Sequence, residues 1–343
     1  MASHNGNGVK HRILWIDVCR VLFMFIVVFG HSPDVLPHHA NMGTMRMLQV
    51  PFYLDSYPVG IVLMFYFFSG MLNKSGARWL DWQKFGLFMI PTILWNIICI
   101  MIRHLYPDTL VGWLGATGII PNYQVFFPTV APPCDYPLWF MTFLAYYSLL
   151  FPIFKKIPSW MLLAIVLLSF IVASIYAEAI SQDGVPHYIL RESQTFGIYL
   201  LGILASRVGV GRVTEWLEKY AWIFVAVLLP YAFAMFLPIY NKLFTNGFSA
   251  VAGVLALCSY GVVVTKCFPR MSAWIAQWAP AVFFIYAFHV PFFYLLKLCI
   301  NLPELPAHTF YAYALLCYIV SILIFTYLKT NVKWIDRILF LSK

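Results

Sequence analysis

Hydrophobic runs of about 20 residues recur along the whole chain, separated by short polar breaks. A run of that length, wound as a helix rising 1.5 Å per residue, matches the roughly 30 Å hydrocarbon core of a bilayer. Across the 343 residues 62% are hydrophobic and 10% charged, with mean hydropathy +0.81, against about 25% charged in a soluble domain. Water is therefore not the solvent for most of this surface. We expect an all-α, polytopic membrane protein in a cell (inner or plasma) membrane, with ten transmembrane helices near 13–31, 57–73, 83–102, 137–155, 159–178, 188–205, 220–238, 245–264, 277–298 and 309–328. The sixth, with Arg191, Glu192, Ser193 and Gln194 near its start, is the most polar. Asp17 and Arg20 interrupt the first apolar run and no small-residue cleavage site follows, so it reads as a retained helix and not as a signal peptide.

The net charge of +9 is spread through the breaks between apolar runs. That is the pattern of a membrane protein, and it argues against a nucleic-acid groove. Of the 22 Lys and Arg, sixteen fall in one set of alternate breaks and five in the other. Because basic residues accumulate on the cytoplasmic side, both termini are expected in the cytoplasm, as a segment 1–12 and a tail 329–343 flanking one membrane domain, 13–328. The seven cysteines are scattered and form no metal-type or disulfide-type spacing. His38 and His39, with Asp34 nearby, read as a solvated loop, and no metal is expected. The longest breaks, 32–56 and 103–136, fall on the outer face. Their aromatics, such as Tyr53, Tyr57, Tyr106, Tyr123, Phe126, Phe127 and Tyr136, suit stacking on sugar rings, but aromatics also belong at membrane interfaces, which is the preferred reading for most of them.

Arg20 lies eight residues beyond Arg12, roughly 12 Å into the first helix. A cation at that depth costs several kcal/mol unless it is paired or wet, which marks it as functional by default. Asp17, three residues earlier on the same face, is its obvious partner. Taken alone, the pair reads equally well as an anchor snorkelling to the interface. His31 follows Arg20 by 11 residues, and 11 steps of about 100° return to within roughly 20° of the starting direction, some 16 Å further along the axis. One stripe therefore carries a cation at one end and an imidazole at the other. His289 follows Arg270 by 19 residues, as His31 follows Arg12, which places the two histidines at equal depth. The competing reading of His289 is a side chain satisfied by a backbone carbonyl before the Pro291 kink. Ser69 and Gly70 close the run Phe65-Tyr66-Phe67-Phe68 near the level of Arg20. Small residues there mark close packing first.

Together these residues resemble the acyltransferase-3 family of integral membrane acyltransferases. The family's first helix carries a basic residue, ten intervening residues and a histidine, here Arg20 through His31, preceded by Asp17. Its second-helix FFxxSG-like motif resembles Phe65-Tyr66-Phe67-Phe68-Ser69-Gly70, with Tyr66 in place of the second Phe. Leu138-Trp139-Phe140 resembles the opening of a central helix, and Tyr286, His289 and Pro291 resemble a late Tyr-x-x-His-x-Pro. The likeness runs from residue 12 to about 328. Two departures stand out: the basic cluster that opens the third helix is thin, only Arg78 and Lys84 before Pro91, and no SGNH-type domain follows the last helix, as in a stand-alone form.

The resemblance implies transfer of an acyl group, commonly acetyl from acetyl-coenzyme A, to a hydroxyl of a cell-surface or lipid-linked carbohydrate, as in O-acetylation during exopolysaccharide biosynthesis. Acetyl is the first expectation, with succinyl or another short chain left open. Partners to expect are the carbohydrate acceptor, acyl-coenzyme A, membrane lipid and other polysaccharide-assembly membrane proteins. In that scheme Arg20 holds coenzyme A phosphate or orients its arm, with Asp17 beside it. His31 is the general base. Ser69, Gly70 and Phe68 flank the donor, Trp139 lines the acceptor side, and Tyr286 and His289 support the site. A transporter or flippase for a lipid-linked sugar or small solute is the main alternative, although the inverted repeat with paired broken helices that marks many transporters is not evident. A scaffold subunit is the second, and it has no need of an Arg and a His on one face.

Overall fold

The computed structural model describes residues 13–35, 61–104, 138–180, 187–234, 247–299 and 309–332. Within them the chain is helical, with no strand. The helices are α1 (Leu14–Val35), α2 (Ile61–Leu72), α3 (Trp82–His104), α4 (Trp139–Phe154), α5 (Ser159–Ile180), α6 (His187–Val208), α7 (Val210–Ala234), α8 (Gly247–Cys267), α9 (Pro269–Ala276), α10 (Val282–Cys299) and α11 (Thr309–Asn331), with a 3₁₀ turn at Ala279–Ala281 before α10. Each of the ten expected runs falls on a helix. The His38–His39 loop, the outer-loop aromatics, the segment 1–12 and most of the tail 329–343 lie outside the described residues.

Among the described residues, four helical stretches are long and apolar enough to cross a membrane: Leu14–Ser32, Ala250–Cys267, Pro269–Cys299 and Tyr311–Asn331. A fifth is formed if Ser193–Val208 and Val210–Val227, bent by 102° at their junction, count as one span. Ile61–Leu72, Trp139–Phe154 and Ser159–Ile175 are apolar but shorter. The junction between α6 and α7 departs from expectation. The charged stretch 206–219 reads as a loop, yet only Gly209 interrupts the helices, at φ 103°. That left-handed conformation suits glycine, and its N–H caps α6 on Ala205 O at 3.1 Å. Likewise α9 and the 3₁₀ turn extend the ninth run toward its N-terminus.

Helix α1 is the axis of the molecule, touching α8, α9, α10, α11 and α2. Apart from the stripe of Asp17, Arg20 and His31 it is largely apolar, and Ile16, Val18, Cys19, Phe23, Val28 and Phe29 are all buried, the pattern of a helix enclosed by others. Its neighbours also grip it through polar groups. Trp15 Nε1 donates to Thr214 Oγ1 of α7 (3.2 Å), Cys19 Sγ to Leu257 O of α8 (3.7 Å), and Tyr318 Oη of α11 to Val21 O (2.6 Å). Helix α2 lies against α6 with backbones nearly in contact. A Cβ on Gly70 would stand 2.1 Å from Tyr199 O, and one on Gly202 would stand 2.2 Å from Phe67 O. This is the small-residue packing that brings apolar helices together in a membrane, and it fixes the motif-bearing helix relative to α1.

Helix α3 begins at Asp81, whose Oδ1 accepts the Lys84 N–H (3.0 Å) as an N-cap, while its own N–H donates to Leu149 O of α4 (3.0 Å). Arg207, at the end of α6, donates to Phe154, Lys155 and Ile157 carbonyls (3.1, 3.0 and 2.7 Å) and to Ser159 Oγ (2.9 Å), and so clasps the turn between α4 and α5.

Because a backbone oxygen cannot retreat as a side chain can, Gly70→Ala should destabilise the protein by about 1–3 kcal/mol. Gly86→Ala, where the added Cβ meets only Ile90 Cδ1 at 3.7 Å, should be neutral. Thermal unfolding of the purified variants in detergent checks this, and equal midpoints for the two would contradict the packing.

Candidate active site

The Arg20 guanidinium meets Asp17 Oδ1 at 3.4 Å, with the arginine side chain 32% exposed and the aspartate 10%. The spacing of three residues on one helix puts them there, and pairing offsets the cost of a charge among apolar side chains. On the α2 side the guanidinium carbon sits 6.0 Å from the centre of the Phe68 ring, and Phe68 in turn packs edge-on to Trp15 at 5.6 Å. Asp17 and Arg20 line a cavity of about 280 Å³ whose other walls are Ile13, Ile16, Leu72, Ala279 and Pro280. The last two come from the 3₁₀ turn before α10. No feature of the sequence linked that turn to Arg20; only folding brings it there.

At the other end of the stripe, the His31 ring lies 5.4 Å from the ring of His289, centre to centre, tilted by 32°. The two histidines expected at equal depth are therefore neighbours. His289 is fully buried, and its Nδ1 is 2.5 Å from Tyr286 O, one turn back on α10. A carbonyl only accepts, so this contact puts a proton on Nδ1. The carbonyl contact foreseen as the structural alternative for His289 is present, and it orients the ring beside His31.

From His289 a line of aromatic contacts runs through the remaining motif residues. Tyr286 packs edge-on to Phe140 at 5.5 Å, and Phe140 packs on Tyr66 at 4.7 Å. The Tyr66 hydroxyl donates to Phe140 O at 3.0 Å, and Tyr66 also faces Trp139 at 6.4 Å. Four short motifs on α1, α2, α4 and α10 thus form one connected cluster. Ser69 is half-buried beside it, while Gly70 serves the contact with α6. Two further residues support α1 near this cluster: Tyr318, through Val21 O, and Tyr311, stacked on Phe29 at 4.3 Å. Both lie on α11 among other aromatic residues such as Tyr313 and Tyr327, and no sequence signal singles them out.

Between Arg20 and His31 the stripe passes through Met24 and Val27, which are 3% and 1% exposed. The cation and the imidazole are aligned, and the segment that joins them is packed with side chains. Among the described residues no group of three or more His, Cys, Asp or Glu could hold a metal ion.

Residues 13–329 match the family model described as an acyltransferase domain. The chain belongs to the acyltransferase-3 family. It is an integral membrane acyltransferase, and the motif cluster lies within the part of the chain that the family defines. No curated protein and no solved structure matches the chain. The transport alternative gains no support from the family or from the helical packing.

The His31–His289 contact gives a direct test. With both changed to cysteine, the pair should cross-link under mild oxidation, whereas Phe25→Cys with His289→Cys should not, because Phe25 packs on Tyr318 of α11. Peptide mapping of the oxidised protein reads the outcome, and equal cross-linking by both pairs would contradict the arrangement.

Proposed function

We propose that this acyltransferase carries an acyl group, in the first instance acetyl from acetyl-coenzyme A, from the cytoplasmic side to a hydroxyl of a cell-surface or lipid-linked carbohydrate at the opposite face. Ten crossings of the cell membrane with both termini in the cytoplasm go with this reading, which rests on the alternation of sixteen against five basic residues between successive breaks. The observation that carries the site assignment is the imidazole pair at one end of the α1 stripe and the paired guanidinium at the other. A two-substrate transfer across a membrane needs a cation for the donor's phosphates on one side and a base for the acceptor on the other.

In this reading Arg20, held by Asp17, binds a phosphate of coenzyme A or orients its arm at the mouth of the 280 Å³ cavity. That volume suits one phosphate or the end of the arm and not the entire coenzyme. Ser69 and Phe68 flank the arm, and Gly70 lets α2 lie close behind it. His31 removes the proton from the acceptor hydroxyl as its oxygen attacks the thioester carbonyl. The carbon–sulfur bond breaks, and the thiolate leaves, taking up a proton. His289, fixed by Tyr286 O, orients His31 and shares the charge that develops on it. Trp139 lies on the acceptor side.

In purified protein, His31→Ala should lower acyl transfer, or acceptor-free thioester hydrolysis, by about 10²–10⁴-fold, the usual contribution of a general base, with acyl-coenzyme A affinity unchanged. Arg20→Ala should weaken that affinity by at least about tenfold, the loss of a charge-assisted phosphate contact. Titration calorimetry and a free-thiol assay separate the two effects. Wild-type protein with no affinity for any acyl-coenzyme A would overturn the donor assignment, and full activity in His31→Ala would overturn the base.

A further inference from the structure

A second and larger cavity, of about 570 Å³, opens between the end of α2, the end of α4 and the end of α6. It shares no lining residue with the Arg20 cavity: Leu72 lines the first, Asn73 and Lys74 the second. Its volume is in the range of ligand clefts, about 300–1,000 Å³. Lys74, Lys155 and Arg207 line it together with the Ser206 hydroxyl, over an apolar floor that includes Phe151, and none of the lining residues is acidic.

The cations of this region divide into two kinds. Lys84 donates to Asn73 Oδ1 and Lys74 O, Lys156 donates to Arg78 O at 2.5 Å, and Arg207 spends its donors on the α4–α5 turn. These three hold the fold. The ammonium groups of Lys74 and Lys155 make no hydrogen bond or ion pair among the described residues, so the packing described does not use them. The nearest carboxylate in sequence, Asp81, is occupied by Ser75 Oγ (2.5 Å) and by the N-terminus of α3. The cavity is thus a concentration of positive charge without internal neutralisation.

Its depth in the membrane follows from its neighbours. Trp79, Trp82 and Trp160, on the same loops and helix ends, are 62%, 64% and 72% exposed. Exposed tryptophans on a membrane protein sit at the level of the lipid headgroups. A basic cavity between helices at that level is suited to a phosphate.

We propose that the cavity bordered by Lys74, Lys155 and Arg207 is a binding site for a phosphate group, supplied by the headgroup of an anionic phospholipid. The site is separate from the acyl-transfer site and does not depend on that reading. The phosphate bridges the two ammonium groups, and the acyl chains lie against the apolar outer surface of α5, where Leu163, Leu167 and Leu168 are exposed.

The test uses the purified, delipidated protein titrated with phosphatidylglycerol or phosphatidylcholine and read by native mass spectrometry. Wild type should retain phosphatidylglycerol in preference to phosphatidylcholine. Lys74→Gln with Lys155→Gln should reduce that retention by about thirtyfold, at about 1 kcal/mol per basic residue. Lys74→Arg with Lys155→Arg should preserve it. Arg212→Gln with Lys219→Gln, an equal loss of charge elsewhere, should leave it unchanged. Displacement of the lipid by inorganic phosphate would keep the phosphate site but assign it to a soluble ligand. No preference in wild type, or equal losses in the two Gln pairs, would overturn the proposal.

Discussion

Everything in this fold depends on carrying an arginine, an aspartate and a histidine on one helix that is otherwise enclosed in apolar side chains. A charge placed there is tolerable only if it is paired or reached by water. Helix α1 meets that condition at Arg20 by an intrahelical partner 3.4 Å away and an adjoining cavity. At its other end His31 lies against the buried His289. The surrounding helices hold α1 in register through single directed contacts, Thr214, Leu257 O and Tyr318 among them, and not through any one dominant interface. The stripe linking Arg20 to His31 runs over about 16 Å of that helix.

Close backbone packing does the second part of the work. Helix α2 carries aromatic residues that touch both ends of the site: Phe68 near Arg20, and Tyr66 in the cluster that leads to His289. It can serve both only because Gly70 and Gly202 let it seat against α6 without an intervening side chain. A glycine that reads as part of a site motif has a mechanical task here, and the two readings are compatible.

The parts of this structure that were legible in the sequence are those governed by periodicity. Eleven residues return a helix to nearly the same face, which relates Arg20 to His31. Equal counts from Arg12 and Arg270 gave the matching depth of His289. What was not legible has two physical causes. Hydropathy reports affinity for lipid and not helicity, so the charged stretch containing Arg212, Glu215 and Glu218 looked like a loop although it opens α7, where Glu218 pairs with Lys266 of α8 at 3.4 Å. Contacts between distant segments leave no local trace, which is why Ala279 and Pro280 beside Arg20, or Tyr318 on the Val21 carbonyl, could not be foreseen.

The central claim is that the Arg20 end of α1 receives the phosphate end of the acyl donor, and it is most directly tested by photolabelling with an acetyl-coenzyme A that carries a diazirine on its adenosine portion, followed by peptide mapping. The account predicts labels on α1 around Asp17–Arg20 and on α2 near Leu72, competed away by unlabelled acetyl-coenzyme A and diminished in Arg20→Ala. Competable labelling confined to the cavity of Lys74, Lys155 and Arg207, with α1 untouched, would contradict it and move the donor to that cavity.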